Sequence, residues 1–468
     1  MTPSILKSCL LTLPALALTT NAYSKSNQRP NVVIILADDQ GNADCGFQRS
    51  PSTISTPSID KIAANGVVFT NGYASGYVSA PTRAGLMTGR YQQRFGFYTA
   101  NDSREGMPLS EITIADVLKK EGYRTGIFGK WHLGIEEAYH PLNRGFQDFY
   151  GFLGHGGHDY YNFTCETDKN YECITRNFTP VSDEGYLTDI LANEASNFIK
   201  TNSEKKTPFF LYLPFNAVHS PLQAPEEDIK RFNTGSHDRD VQLAMIYRMD
   251  IAIGKVIQEL KDRGVYENTI IFYFSDNGGS KASSAVNLPL RDFKQSVYEG
   301  GLRVPFVMSW PAKLKHAVCN EPVISFDIMP TICAALNIKL PSEIIYDGKN
   351  FLPAIQGKLE EPLHKDLFWD GAENRWAVRE GKWKLVFDKK AVLELYDLVT
   401  DQSESTNLAS QYPEKVKDLK LKYETWRSEM KTPMGEKKLN RKKNNANNSE
   451  RKAQKKAKIE NNITENEL

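Results

Sequence analysis

A chain of 468 residues, 40% hydrophobic and 25% charged, is long enough for one large domain and a smaller one, and its composition excludes a disordered or fibrous protein. The formal net charge of +1 is unevenly spread: residues 431–468 carry eleven Lys/Arg against five Glu, so the rest of the chain is mildly acidic. An acidic body excludes a broad nucleic-acid footprint, and any affinity for an anion must come from a local pocket.

Residues 1–24 are expected to be a secretory signal peptide. Lys7 precedes the apolar run 9–19, and Thr20-Asn21-Ala22 offers a small-residue cleavage region. That run is too short to anchor in a bilayer, and no later stretch is apolar enough to span one, so an exported chain without a membrane span is expected. An oxidising compartment would allow disulfides. Cys165 and Cys173 are close enough to staple a loop, Cys319 with Cys333 is a second candidate pair, and Cys45 is left over. None has zinc-finger spacing.

The run 32–37 is almost continuously apolar, which predicts a strand buried on both faces, and Asp38-Asp39-Gln40-Gly41 ends it. A helix is predicted from Pro57 to Gly66, with Thr56 as its N-cap. Helix and strand then alternate: helix 112–121 and strand 125–128, helix 187–201 and strand 208–213, helix 241–263 and strand 269–274. Such alternation predicts an α/β fold with a mostly parallel sheet, whose ligands sit at the carboxyl ends of the strands. Asp38, Asp39, Asp276 and Asn277 fall at those ends. After about residue 340, short aromatic strands at 367–369, 376–379, 383–387 and 393–398 predict a small antiparallel sheet, followed by a helix over 413–430. The Lys/Asn-rich tail 431–468 is expected to be disordered. The domain plan is therefore a signal at 1–24, a catalytic domain at 25–340, a C-terminal antiparallel α+β subdomain at 341–430, and the basic tail.

Asp38, Asp39, Asp276 and Asn277 are hard oxygen donors, a set that selects calcium or magnesium over zinc or copper. Each pair, read alone, also suits a turn after a strand. Ser79, in Ser79-Ala80-Pro81-Thr82-Arg83, is a candidate nucleophile. A bare serine hydroxyl needs a base, a metal or chemical conversion to act. Arg83 adds a permanent cation. Lys130 and His132 follow the 125–128 strand, His219 follows the 208–213 strand, and Lys294 precedes Glu299-Gly300-Gly301-Leu302-Arg303-Val304-Pro305. Singly, the lysines also suit a solvated surface and the histidines a structural role. Together these groups describe a metal-centred site for attack on a tetrahedral anionic ester.

Over about residues 29–410 the chain resembles the sulfatases of the alkaline-phosphatase superfamily. The resemblance rests on six motifs in the family's order: Ala37-Asp38-Asp39-Gln40-Gly41; Ser79-Ala80-Pro81-Thr82-Arg83 with Thr88-Gly89-Arg90; Gly129-Lys130-Trp131-His132-Leu133-Gly134; Ala217-Val218-His219-Ser220-Pro221; Phe274-Ser275-Asp276-Asn277-Gly278-Gly279; and Lys294 ahead of the 299–305 run. It implies an alkaline-phosphatase-like fold. It further implies that Ser79 is oxidised to formylglycine, whose hydrated form attacks sulfur and later expels sulfate. Calcium (or magnesium) would be held by Asp38, Asp39, Asp276, Asn277 and residue 79. Arg83 would orient the nucleophile, Lys130 and Lys294 would bind sulfate oxygens with His219, His219 would protonate the leaving alcohol, and His132 would be the base. Serine in place of the commoner cysteine resembles bacterial enzymes matured by a radical-SAM activating partner. A serine-type sulfatase-maturating enzyme and a periplasmic or secreted location are therefore expected.

The resemblance to carbohydrate-acting members favours a sulfated oligo- or polysaccharide, either algal, such as ulvan or carrageenan, or a glycosaminoglycan. His155, His158, Asp159 and Arg291 are the candidate substrate contacts, with Asn101, Arg104, Trp369, Arg375 and Trp376 further out. Two other readings compete: a phosphonate monoester hydrolase or phosphodiesterase of the same superfamily, and an unmatured, non-catalytic glycan-binding protein.

Overall fold

The computed structural model of the chain describes residues 29–48, 54–154, 156–164, 173–371, 374–389 and 392–434. The segment 1–24, His155, Cys165 and the tail beyond 434 lie outside the described residues.

Every residue of the Asn31–Ala37 strand is buried. Val33, Ile35 and Ala37 enter one apolar cluster, and Val32, Ile34 and Leu36 enter another on the opposite face. A strand that must be apolar on both faces shows an unbroken hydrophobic run instead of alternation. It pairs in parallel with Thr269–Ser275 on one side and Phe209–Pro214 on the other, and Phe209–Pro214 pairs in parallel with Arg124–Lys130. These four strands are the centre of a ten-stranded sheet. Asp148–Phe152 extends it in parallel, followed by the short antiparallel Thr175–Arg176 and Thr179–Pro180. On the other side Phe306–Ser309 runs antiparallel between Thr269–Ser275 and Gly66–Phe69, and Ala317–Cys319 closes the edge.

Helices cover both faces. Pro57–Ala64, Leu187–Glu204 and His237–Asp262 pack into the first cluster; Ser79–Thr88, Ile114–Lys120 and Ile328–Ala335 pack into the second. Thr113 and Asp116 form a capping box that opens Ile114–Lys120. Thr56 does not cap Pro57–Ala64 as expected: its hydroxyl donates to Asp60 Oδ1 at 2.8 Å and accepts from Gly46 N at 2.9 Å, tying the helix start to the preceding loop. The candidate bridge between Cys319 and Cys333 is corrected: both thiols are free and buried, Cys319 on the edge strand and Cys333 within Ile328–Ala335. Cys173 is disulfide-bonded. Among the described residues no helix is long and apolar enough to cross a membrane.

The C-terminal part is a four-stranded antiparallel sheet, Asp366–Asp370, Arg375–Glu380, Trp383–Asp388 and Leu393–Asp397. Pro413–Ser428 covers one face through Leu419, Tyr423 and Trp426. A third apolar cluster joins this sheet to Tyr73, Tyr77, Val297, Tyr298 and Leu302 of the large domain. The first residues of the expected tail are not free of the fold: Lys431 N donates to Gln93 O and Met434 N to Gly96 O, both at 3.0 Å.

Candidate active site

Parallel strands open their carboxyl ends along one edge of the sheet, and the polar motifs follow those ends directly. Backbone pairing continues one residue further, with Asp38 N donating to Ala217 O at 2.9 Å and Asp276 N to Ala37 O at 3.1 Å. Three strand-end loops are thereby stitched together. Asp39 and His132 adopt left-handed backbone conformations, φ +65° and +63°. Non-glycine residues avoid that region unless their surroundings enforce it, and such residues concentrate at functional sites.

Ser79 is the first residue of the Ser79–Thr88 helix, all ten residues of which are buried. Its Oγ lies 3.2 Å from Asp38 Oδ1 and 3.1 Å from Asn277 Oδ1. One turn on, Arg83 donates through Nε and Nη2 to Asp276 Oδ2 at 2.9 and 2.7 Å and through Nη1 to Lys130 O at 3.0 Å. Lys130 Nζ reaches Asp38 Oδ2 at 2.5 Å, and Lys294 Nζ reaches Asp39 Oδ1 at 2.6 Å. Asn277 Nδ2 also donates to Asp39 Oδ1, at 2.7 Å. Three carboxylates, three cations and the Ser79 hydroxyl thus share one buried knot, in which each charge is paired.

The electrostatics follow from that burial. Burial opposes the charge on Asp38, yet Lys130, His219 and Arg83 outweigh it and hold its carboxyl well below the usual range. Burial, reinforced by the charge of Asp38, pushes Asp276 up. Burial pulls Lys130 down despite Asp38 beside it, whereas Asp39 and Asp38 overcome burial and raise Lys294. Burial, aided by Lys130 and Arg83, drives His132 well below its ordinary value, and its two ring nitrogens have no hydrogen-bond partner among the described residues. Burial at His132 thus favours the neutral imidazole over the imidazolium. His219 is likewise lowered by burial; its Nδ1 lies 2.7 Å from Ser220 O and its Nε2 3.5 Å from Asp39 Oδ2.

The expected core residues Asp38, Asp39, Ser79, Arg83, Lys130, His132, His219, Asp276, Asn277 and Lys294 therefore gather at one end of the sheet. The rim residues behave differently. His158 is 1% exposed and its Nδ1 lies 2.7 Å from Asp159 O. Asp159 Oδ1 accepts from the backbone N–H groups of Tyr161 and Asn162, and Oδ2 accepts from Gln223, so its carboxylate shapes the loop. Arg291 packs its guanidinium 3.8 Å over the Tyr298 ring and donates to Tyr396 OH at 2.7 Å. Trp369 is corrected outright: it is 1% exposed, with Nε1 donating to Ala74 O at 2.9 Å, and cannot line a pocket rim. Trp376 stacks 4.0 Å from Tyr423 and Arg375 pairs with Asp388. Asn101 and Arg104 lie on the Ala100–Arg104 turn.

Three residues have supporting roles that the sequence alone does not assign. Ser275 Oγ accepts from Gln40 N at 3.0 Å and donates to Asn277 O at 2.9 Å, bridging the two acidic strand ends. Tyr160 OH sits 2.8 Å from Asn216 O and 2.9 Å from His219 O, bracing the His219 loop. Gly157 lies against that loop so closely that a Cβ would come within 1.6 Å of Ser220 O and 2.8 Å of His219 Nδ1. The serine carries a signal as the first residue of Ser-Asp-Asn-Gly-Gly, and Gly157 and Tyr160 lie in the His/Asp/Tyr-rich loop 154–161.

The donor set suits a divalent cation. Asp38, Asp39, Asp276 and Asn277 offer hard oxygens, and the burial and neighbouring negative charge that together raise Asp276 are what such an ion would offset. One oxygen each from Asp38 and Asp39 and a ring nitrogen of His219 lie within 4.8 Å of one another, which brings a histidine to the edge of that set.

The sulfatase family model matches residues 30–338, and a model described as N-sulphoglucosamine sulphohydrolase, C-terminal, matches residues 292–429. The uncharacterized sulfatase YdeN of Escherichia coli K12 is 30% identical over 413 residues, covering 77% of this chain and 72% of that one. The N-acetylgalactosamine-6-sulfatase of Rattus norvegicus is 31% identical over 398 residues, covering 80% and 74%. Among solved structures, Ps i-CgsB in complex with k-i-k-neocarrahexaose superposes with a TM-score of 0.82 at 34% identity, covering 87% of this chain and 94% of that one.

Proposed function

The chain belongs to the sulfatase family of the alkaline-phosphatase superfamily and is a sulfuric ester hydrolase; from that premise we propose that it removes sulfate from a sulfated carbohydrate, using residue 79 after oxidation of its serine to formylglycine. The observation that carries the reading is the position of Ser79 Oγ, at the start of a buried helix and within 3.2 Å of both Asp38 and Asn277. An oxygen there is held against the hard donors and beside the three cations Arg83, Lys130 and Lys294.

Asp38, Asp39, Asp276 and Asn277 would hold calcium, which when bound supplies positive charge to the nucleophilic oxygen and to the sulfate. The protein's own groups do the rest. Arg83 is locked by Asp276 and presents its charge to residue 79. Lys130 and Lys294 bind sulfate oxygens and stabilise the charge that develops on them. Neutral His132 takes the proton whose loss expels sulfate. His219 donates from Nε2 to the leaving sugar oxygen after protonation, while Nδ1 faces Ser220 O. Its lowered proton affinity makes that acid strong.

The carbohydrate class is supported by the neocarrahexaose bound to Ps i-CgsB and by the N-acetylgalactosamine-6-sulfatase relatives. We assign a carrageenan-like or glycosaminoglycan-like oligosaccharide. The disulfide at Cys173 supports a periplasmic or secreted location. The test is sulfate release from a panel of sulfated oligosaccharides by protein co-produced with a serine-type maturating enzyme. Release from a carbohydrate is expected; a higher kcat/KM on a nitrophenyl phosphodiester than on every sulfate ester would overturn the proposal.

A further inference from the structure

Lys294 differs from the other charged groups of the site in its support. It lies on neither a strand end nor a helix but in the irregular stretch 284–298, between the Lys281–Ser283 turn and the Glu299–Leu302 helix. Its backbone N–H donates to Gly279 O at 3.0 Å, and its ammonium reaches Asp39. Two neighbours adopt left-handed conformations, Asp292 at φ +69° and Gln295 at φ +71°. Neither is glycine, so the surroundings must enforce the shape of this loop.

The enforcing contacts come from the C-terminal sheet, on both sides of Lys294. Before it, Arg291 Nη1 donates to Tyr396 OH at 2.7 Å and to Glu404 O at 2.8 Å, with its guanidinium 3.8 Å over the Tyr298 ring and 3.6 Å from Glu394. After it, Gln295 O accepts from Arg375 Nη1 at 2.5 Å, and Arg375 Nε is held by Asp388 at 3.0 Å. Gln295 N donates to Tyr77 O at 2.9 Å, closing the loop against the large domain. The loop also lies flat on the Glu299–Leu302 helix: a Cβ on Gly300 would stand 2.2 Å from Asp292 O and 2.4 Å from Arg291 O.

We propose that Arg291, reaching from the loop to the C-terminal sheet, and Arg375, reaching from that sheet to the loop, are positioning residues that clamp Lys294, so that the smaller subdomain sets the place of a sulfate-binding cation in the larger one. The functional half of this proposal rests on the sulfatase reading; the clamp itself does not. A lysine on a long, flexible stem presents its charge in one place only when its backbone is fixed, and the two arginines fix it from opposite ends of the five-residue span 291–295. Arg291 thereby has a structural purchase on catalysis without touching substrate.

Hydrogen–deuterium exchange on the full chain reads the clamp directly. In Arg291→Met, Arg375→Met and the double variant, the amides of residues 292–296 should exchange at least about tenfold faster, with the central strands unchanged. Arg375 is partly exposed, so its single variant keeps the comparison available if the double variant folds poorly. Unchanged exchange in that loop overturns the clamp, whatever the activity. The second readout is inhibition by inorganic sulfate together with kcat/KM for sulfate release. The double variant should lose about tenfold in each, but less than about twofold when Lys294→Ala is already present, because residues acting through one group are not additive. Equal losses in both backgrounds would overturn the role assigned to the arginines. If Lys294→Ala alone changes neither quantity, the sulfate-binding assignment of Lys294 fails, and the exchange result still decides the clamp.

Discussion

Ser79 Oγ stands 3.1 Å from Asn277 Oδ1, across 198 positions of chain. The contact joins the first turn of a buried helix to the carboxyl end of a central strand, and it puts the side chain at 79 in the same donor set as the acidic residues. In the proposed reading residue 79 would share the cation those residues hold, which is where an oxygen nucleophile is of most use.

Asp276 links that donor set to Arg83. Replacing it by alanine would strip a buried guanidinium of its nearest carboxylate and leave only Asp38 at 3.5 Å, at a cost of up to about 3–5 kcal/mol, so Asp276→Asn is the cleaner variant. Its calcium affinity should fall on the order of 100-fold or more, since even groups outside a metal's direct ligands contribute 10–100-fold. Calorimetric titration showing unaltered calcium binding would remove Asp276 from the ligand set.

His219→Ala should keep calcium affinity and lose turnover of sugar sulfates by about 10²–10⁴-fold, the usual contribution of a positioned acid. Nitrophenyl sulfate, whose leaving group needs no proton, should suffer less. Loss of calcium in this variant would instead make His219 a ligand, as its closeness to Asp38 and Asp39 allows.

Glu404 gives stability a definite pH dependence. Burial, with the charge of Glu299 adding to it, raises its carboxyl to about 7 against the opposing pull of Lys384, 2.9 Å away. A carboxyl raised on folding contributes stability that is present below its unfolded value near 4.5 and is lost as pH rises through about 7. In saturating calcium the thermal midpoint should therefore fall between pH 5 and 8, and Glu404→Gln should flatten that slope. An identical slope in the variant would contradict the assignment.

Trp369 joins the C-terminal sheet to the large domain, its ring tilted against Tyr73 with centroids 5.1 Å apart and its Nε1 donating to Ala74 O. Trp369→Ala should cost about 3–5 kcal/mol of stability, read as a lower thermal midpoint, with KM unchanged. A raised KM at undiminished stability would restore a role at the substrate.

The strand ends were legible because both-face burial demands an unbroken apolar run, and the first polar cluster after such a run marks the carboxyl end. The Ser79–Thr88 helix was not legible: all its residues are buried, so it has no polar face, and Pro81 and Gly85 look like breakers. Pro81 is tolerated because it falls in the first turn, and Gly89 closes the helix in a left-handed cap at φ +66°. The support of Lys294 was equally hidden, since the Arg291–Tyr396 contact spans 105 positions and leaves no periodic trace. Two aromatic residues of the C-terminal strands, Trp369 and Trp376, are expected from the sequence at the rim. They are packing instead, because that sheet lays one side on Tyr73 and Tyr77 and the other under Pro413–Ser428.

The central claim is that residue 79 works as an oxidised serine. Intact-peptide mass spectrometry of protein co-produced with a serine-type maturating enzyme, paired with sulfate release from a sulfated oligosaccharide, tests it most directly. The account predicts that the peptide holding Ser79 loses two hydrogens and that sulfate release scales with the converted fraction. An unmodified Ser79 in protein that still releases sulfate, or complete conversion without release from any sulfate ester, would contradict it.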